Sequence, residues 1–170
     1  MKFDYRNIRD EDHFENLVAD YFRELAKNKE NNIANVKATQ SGKGTDGGRD
    51  ILLEFEFSDD IVTFQRRWVV QCKFREDNIS PSHINQIDIP TLIHSYSASG
   101  YLLVCKKSPT SGITNLFERL NENCKDEYHY EVWNGDQFLS KCEVLENMHP
   151  IYFSDYHTRK NEWLAKKVNK

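Results

Sequence analysis

QSGKGTDGGRD, residues 40–50, runs directly into ILLEFEF, residues 51–57, and a second apolar stretch, RWVVQCKF, follows at residues 67–74. Four of the seven glycines of the chain lie within that first stretch. Glycine gives up more backbone freedom on folding than any other residue, so so many in one loop call for a reason. One reason is a tight surface turn. The other is a loop that leaves room for a phosphate and delivers Asp50 to a metal ion. The two apolar stretches read as strands over residues 50–57 and 67–74, joined through a turn at SDD. If that turn is centred, Asp50 faces Lys73, with Cβ atoms about 4.5–5.5 Å apart. Gln71 lies two residues from Lys73 and shares its side of the sheet. Trp68, Val70, Cys72 and Phe74 take the opposite, apolar face. A slip of one residue would destroy the arrangement. The bland reading is an exposed strand face with a cross-strand Asp–Lys pair of little energetic worth. The glycines leading into Asp50 argue against it.

Outward from this hairpin the pattern alternates between helix and strand. Phe14, Leu17, Val18, Tyr21, Phe22 and Leu25 follow helical spacing and predict a helix over residues 12–28, with Asp12 as N-cap and Glu15 as its capping-box partner. On a helical wheel with Phe14 at 0°, Glu15 falls at about 100°, bordering the apolar face. A short strand is expected over 33–39. Ser80-Pro81-Ser82 opens a helix over 83–97 that Pro90 should kink near Ile89. GYLLVC (100–105) is a short buried strand, and the segment after TSG (110–112) is a second strong helix. Residues 128–133 form the last strand, Asn134-Gly135 its turn, and 136–142 a short helix. This order indicates an α/β domain with a central mixed β-sheet flanked by α-helices.

At 170 residues, with 38% hydrophobic and 29% charged content, the chain suits one globular domain, expected over 1–155, with a basic tail or linker over 156–170. That tail, TRKNEWLAKKVNK from Thr158, carries five Lys or Arg against one Glu. The net charge of −4 argues against nucleic-acid binding through overall charge but leaves room for a local basic cleft. No apolar run is long enough to span a membrane, and MKFDYRNIRDEDHF lacks a signal-peptide core. Cys72, Cys105, Cys124 and Cys142 form no CxxC pair, which points to reduced, packed thiols and a cytoplasmic protein. The six histidines show no metal-ligand spacing.

GTDGGRD followed by a strand and QCK resembles the Mrr-type branch of the PD-(D/E)xK restriction-endonuclease superfamily. FENLVADYF is similar to that branch's first helix with its acidic residue, and GYLLVC and VWNGDQFL extend the likeness, which covers most of residues 12–142. The resemblance implies a restriction-endonuclease-like fold and a metal-dependent endodeoxyribonuclease acting in bacterial defence against foreign DNA. It implies that Asp50 is the metal-binding carboxylate and Lys73 the essential lysine. Gln71 stands where the wider superfamily has Glu or Asp, and Glu15 is the helix carboxylate near the same metal. No Pro precedes Asp50, whereas the superfamily name places one there; the Mrr-like branch carries glycines instead. Asp46 reads as a turn residue.

Phosphodiester hydrolysis needs an activated water and charge stabilisation at the phosphate. Mg²⁺, or Mn²⁺ with the same ligands, supplies both. Asp50, the Gln71 amide oxygen, the Cys72 backbone carbonyl and Glu15 are the expected metal ligands, and octahedral Mg²⁺ keeps waters at its other positions. Lys73 would hold the attacking water or neutralise developing charge. Gly47 and Gly48, with Lys43 and Arg49 beside them, and Lys106-Lys107 after GYLLVC are candidate DNA phosphate contacts. No set of base-reading residues is visible, so phosphate contacts should dominate. DNA is the expected partner, with a homodimer or a separate recognition or sensor module as further expectations. Two rivals stay open: a catalytically inactive binding or assembly module on the same fold, and a nuclease for RNA or branched DNA.

Overall fold

A computed structural model describes residues 2–27, 32–41, 48–58, 61–124 and 127–168. Lys43, Asp46 and Gly47 lie outside these described residues. A single 3-10 turn at Tyr5–Asn7 leads into α1, Glu11–Leu25, followed by β1, Ile33–Gln40, β2, Ile51–Ser58, and β3, Thr63–Lys73. A second 3-10 turn, Pro81–His83, precedes α2, Ile89–Ser95. Then come β4, Gly100–Cys105, α3, Ser111–Asn123, β5, His129–Trp133, and α4, Gly135–Glu143; α5, His149–Tyr152, and α6, Ser154–Val168, close the chain.

The five strands form one sheet in the order β1-β2-β3-β4-β5. β1, β2 and β3 pair antiparallel, and β4 and β5 add on in parallel. The sheet is therefore mixed, and β3 is the strand where its direction changes. Parallel strands are covered on both faces, and two cores result. One holds Phe14, Leu17, Val18 and Phe22 of α1 against Leu53, Val70, Cys72 and Val104, together with Phe138 of α4. The other holds Leu92 and Ile93 of α2 and Ile113 and Phe117 of α3 against Val69, Tyr101 and Leu103.

Several sequence expectations need correction. The N-cap of α1 is Asp10, whose side chain accepts from the His13 N–H at 2.8 Å; Asp12 lies inside the helix. This releases Glu15 from a capping box. Residues 83–97 do not form one kinked helix. Asp88 caps α2 by accepting from Thr91, and Pro90 sits in its first turn, where a missing N–H costs nothing. Asn134-Gly135 is not a strand-ending turn. Asn134 caps α4 through the Gln137 N–H, and Gly135 begins the helix. The basic C-terminal stretch belongs to α6, and its residues 161–167 are exposed. All four cysteines are unpaired, three of them buried. Among the described residues no helix is long and apolar enough to cross a membrane.

Candidate active site

The hairpin places its polar residues differently from a centred turn. β2 and β3 close at Ser58 and Thr63, one residue earlier than expected, so the whole register shifts by two. Ile51 pairs with Val70, and the next step puts Asp50 opposite Gln71 rather than Lys73. A shift of two keeps each side chain on its own face, so Asp50, Gln71 and Lys73 remain together. The face is not exposed, because the second core covers it. Gln71 is 3% exposed, and the reading of a solvated Asp–Lys pair fails.

Main-chain bonds fix Asp50 on both sides: its N–H donates to the Val70 carbonyl at 3.0 Å and its carbonyl accepts from Ser41 at 2.8 Å. Its carboxylate Oδ2 accepts from the Cys72 N–H and from Gln71 Nε2, each at 2.6 Å. Among the described residues no hydrogen bond reaches Oδ1. Burial pushes the Asp50 carboxyl up to about 6, outweighing the Cys72 amide and the Lys73 charge, which pull it down. Glu15, half-buried on α1, is pushed up to about 7, first by burial and then by the charges of Asp50, Glu11 and Asp12. Lys73 Nζ stands 3.9 Å from Glu11. α1 thus brings two carboxylates one turn apart to the end of the sheet where Asp50 and Lys73 lie.

Among the described residues Gln71 Oε1 is buried with no hydrogen-bond partner, and so is the hydroxyl of Tyr101 on the neighbouring strand. Buried polar atoms are nearly always satisfied. An orphaned amide oxygen beside two carboxylates of raised pKa is the donor set an oxygen-seeking cation would satisfy. The Cys72 carbonyl lies close by, 3.5 Å from Gln71 Nε2. Among the described residues no three His, Cys, Asp or Glu side chains converge as a metal cluster. A cation here would rest on Asp50 and Glu15 with the neutral oxygens of Gln71 and Cys72 and with water.

The other sequence-derived candidates are more scattered. Gly48 has φ of 95°, and a Cβ there would come within 2.6 Å of Ile87, so glycine is required by conformation and by packing. The Arg49 guanidinium lies 4.4 Å from the centre of the Tyr96 ring, and its Nε donates to Ser41 Oγ at 3.0 Å. Lys106 and Lys107 both pair with Glu76. Sequence reasoning missed Glu11 and Tyr101. With Asp10 as cap, Glu11 and Glu15 fall at i and i+4 on one helix face, a signal that the misplaced cap concealed. Tyr101 reads as an ordinary core aromatic, and nothing in the sequence marks its unsatisfied hydroxyl.

This mixed sheet, with an acidic hairpin end and a neighbouring lysine, has the restriction-endonuclease fold. The family model Mrr_cat, restriction endonuclease, matches residues 9–141, and the chain belongs to that family. The fold is shared with the DNA modification-dependent restriction endonuclease AspBHI at a TM-score of 0.50 and 12% identity, over 75% of this chain and 30% of that one. It is shared also with the MspJI restriction endonuclease in complex with a 27-mer oligonucleotide, at 0.54 and 16%, over 92% of this chain and 32% of that one. The chain thus spans about a third of the length of these solved chains. No curated protein sequence matches it significantly.

Proposed function

We propose that the chain is a metal-dependent endonuclease domain that hydrolyses DNA phosphodiester bonds, in the setting of defence against foreign DNA. The observation that carries this reading is the buried Gln71 Oε1, without a partner among the described residues, beside Asp50, whose charge also acts on Glu15 together with that of Lys73. Asp50, the Gln71 amide oxygen, the Cys72 carbonyl and Glu15 would hold the ion. A bound Mg²⁺ or Mn²⁺ supplies charge stabilisation at the phosphate and a water of lowered pKa.

The residues of the chain do the rest. Cys72 N–H and Gln71 Nε2 fix the orientation of the Asp50 carboxylate before substrate arrives. Lys73 carries the positive charge that meets the phosphate oxygens and the charge developing on them. Its ammonium starts within reach of Glu11, which keeps it extended toward the end of the sheet. The family match and the oligonucleotide bound to the MspJI neighbour support DNA as substrate. A second copy or a separate recognition module would supply the choice of sequence.

Cleavage of supercoiled plasmid with Mg²⁺ or Mn²⁺ tests the reading. Nicking or linearisation by the wild type, lost with EDTA and in Asp50→Ala and Lys73→Ala, is the expected result. Equal cleavage by all three proteins would place the activity elsewhere.

A further inference from the structure

Beside the Lys73 end of the sheet lies a cleft of about 620 Å³. Lys2, Arg6, Lys106 and Lys107 line it, together with Asp136 and with Asp4, which pairs with Arg6 at 2.8 Å. Its link to the candidate site runs through the main chain of Lys106. The Lys106 N–H donates to the Lys73 carbonyl at 2.9 Å, and the Lys106 ammonium lies 4.2 Å from the centre of the Phe74 ring. Glu76 bridges the two lysines, one carboxylate oxygen bonded to Lys106 and the other 4.0 Å from Lys107. The Lys106 side chain is largely buried at 15% exposure, while that of Glu76 is 79% exposed. The cation is thus seated in the fold, and the anion that covers it is free to leave.

A carboxylate spanning two ammonium groups with its two oxygens presents what a phosphate presents with two of its own. We propose that this cleft carries the phosphate backbone of duplex DNA past the cutting site, and that Glu76 occupies the phosphate position between Lys106 and Lys107 until DNA displaces it. The proposal rests on the reading of the chain as a DNA-cutting domain. The Glu76 carboxylate is exposed and is hydrated as soon as it leaves, so displacement is easy, yet the acid lowers affinity for every DNA alike. Backbone contacts of this kind set register without reading sequence.

The test uses the full chain and a fluorescein-labelled duplex of mixed sequence in EDTA, with binding read by anisotropy across salt. Glu76→Ala and Glu76→Gln are expected to tighten binding about 3-fold and to steepen the salt dependence by about one unit of slope. Lys107→Ala should weaken binding and flatten the slope by about one, and Lys106→Ala/Lys107→Ala by about two. Lys107 is half-exposed, so its single variant keeps the test valid if loss of Lys106 disturbs Phe74. Unchanged affinity in both Glu76 variants, indifference to the lysine changes, or no DNA binding by any form would each overturn the proposal. Binding is read without chemistry, so a wild type that binds as expected but leaves plasmid intact would sink the nuclease reading alone. A protein that cuts plasmid while its affinity ignores Glu76 would sink the role given to Glu76 alone.

Discussion

The two ends of the β2–β3 hairpin carry the same kinds of residue and put them to different use. At the far end Glu56 accepts from Gln65 at 3.2 Å, and Glu54 pairs with Arg67 at 3.1 Å and Lys37 at 3.2 Å. At the near end Asp50 meets Gln71 at 2.6 Å. β3 is exposed from Thr63 to Arg66 and buried from Val69 to Cys72. The change comes where β4 joins, since the parallel ladder begins at Trp68 and Gly100. Beyond that point β3 is an interior strand with a core on each face. Polar groups that water would satisfy at one end must find partners in the protein at the other, and Gln71 Oε1 has none among the described residues. The chemistry of the hairpin is thus set by where the neighbouring strand starts.

The largest effect should separate the two ends by activity. Asp50→Ala and Lys73→Ala are expected to lower plasmid cleavage by about 10³, while Arg67→Ala cuts at the wild-type rate; loss of cleavage in the Arg67 variant would erase the contrast. Glu15→Gln should lower cleavage about 10–100-fold without any loss of stability. Asp10→Ala should instead cost about 1 kcal/mol of stability as a lost cap and leave cleavage per folded molecule intact. The reverse pattern would return Glu15 to a capping role.

Titration sharpens the comparison next. The carboxyls of Asp50 and Glu15 sit at about 6 and about 7 against ordinary values of 3.8 and 4.5. Between these limits the folded protein keeps protons that the unfolded chain has released. Their contribution to stability is therefore full below about pH 4 and lost as pH rises through the folded values. In EDTA, Asp50→Asn should melt with the wild type near pH 4 and a few degrees above it near pH 8, about 2–4 °C for each kcal/mol. Mg²⁺ should raise the wild-type melting temperature more at pH 8 than at pH 5; an equal rise at both would mean that these carboxylates do not hold the ion. The smallest effect belongs to the far end, where Arg67→Ala should change stability by about 0–1 kcal/mol in urea melts.

Much of this was legible because local pattern and tertiary context agree. Alternation in RWVVQCKF separates Val70 and Cys72 from Gln71, and the structure keeps that division. Helical spacing from Phe14 to Leu25 locates the core-facing side of α1. The errors arose where two local signals compete. Asp10 and Asp12 are both plausible caps, and only the fold decides between them. Pro90 can kink a helix or begin one, and Asp88 settles it by capping at the residue before Ile89. The register of the hairpin depends on a short connection whose centre the sequence does not mark. Asp50, Gln71 and Lys73 stay on one face of the sheet despite that error because the shift was even. Glu11 was hidden by the misplaced cap, and the unsatisfied hydroxyl of Tyr101 becomes visible only when strands distant in sequence are side by side.

The main-chain amide of Cys72 ends on the Asp50 carboxylate and not on a carbonyl of a neighbouring strand. It is therefore a built-in indicator. Charge drawn from that carboxylate, by a proton or by an ion, weakens the pull on one amide hydrogen in the middle of the sheet. In a ¹⁵N-resolved NMR titration that single resonance would move upfield as the site fills, while the amides of Glu54 and Arg67 stay where they are. The occupancy of the site could then be followed in a protein that cuts nothing.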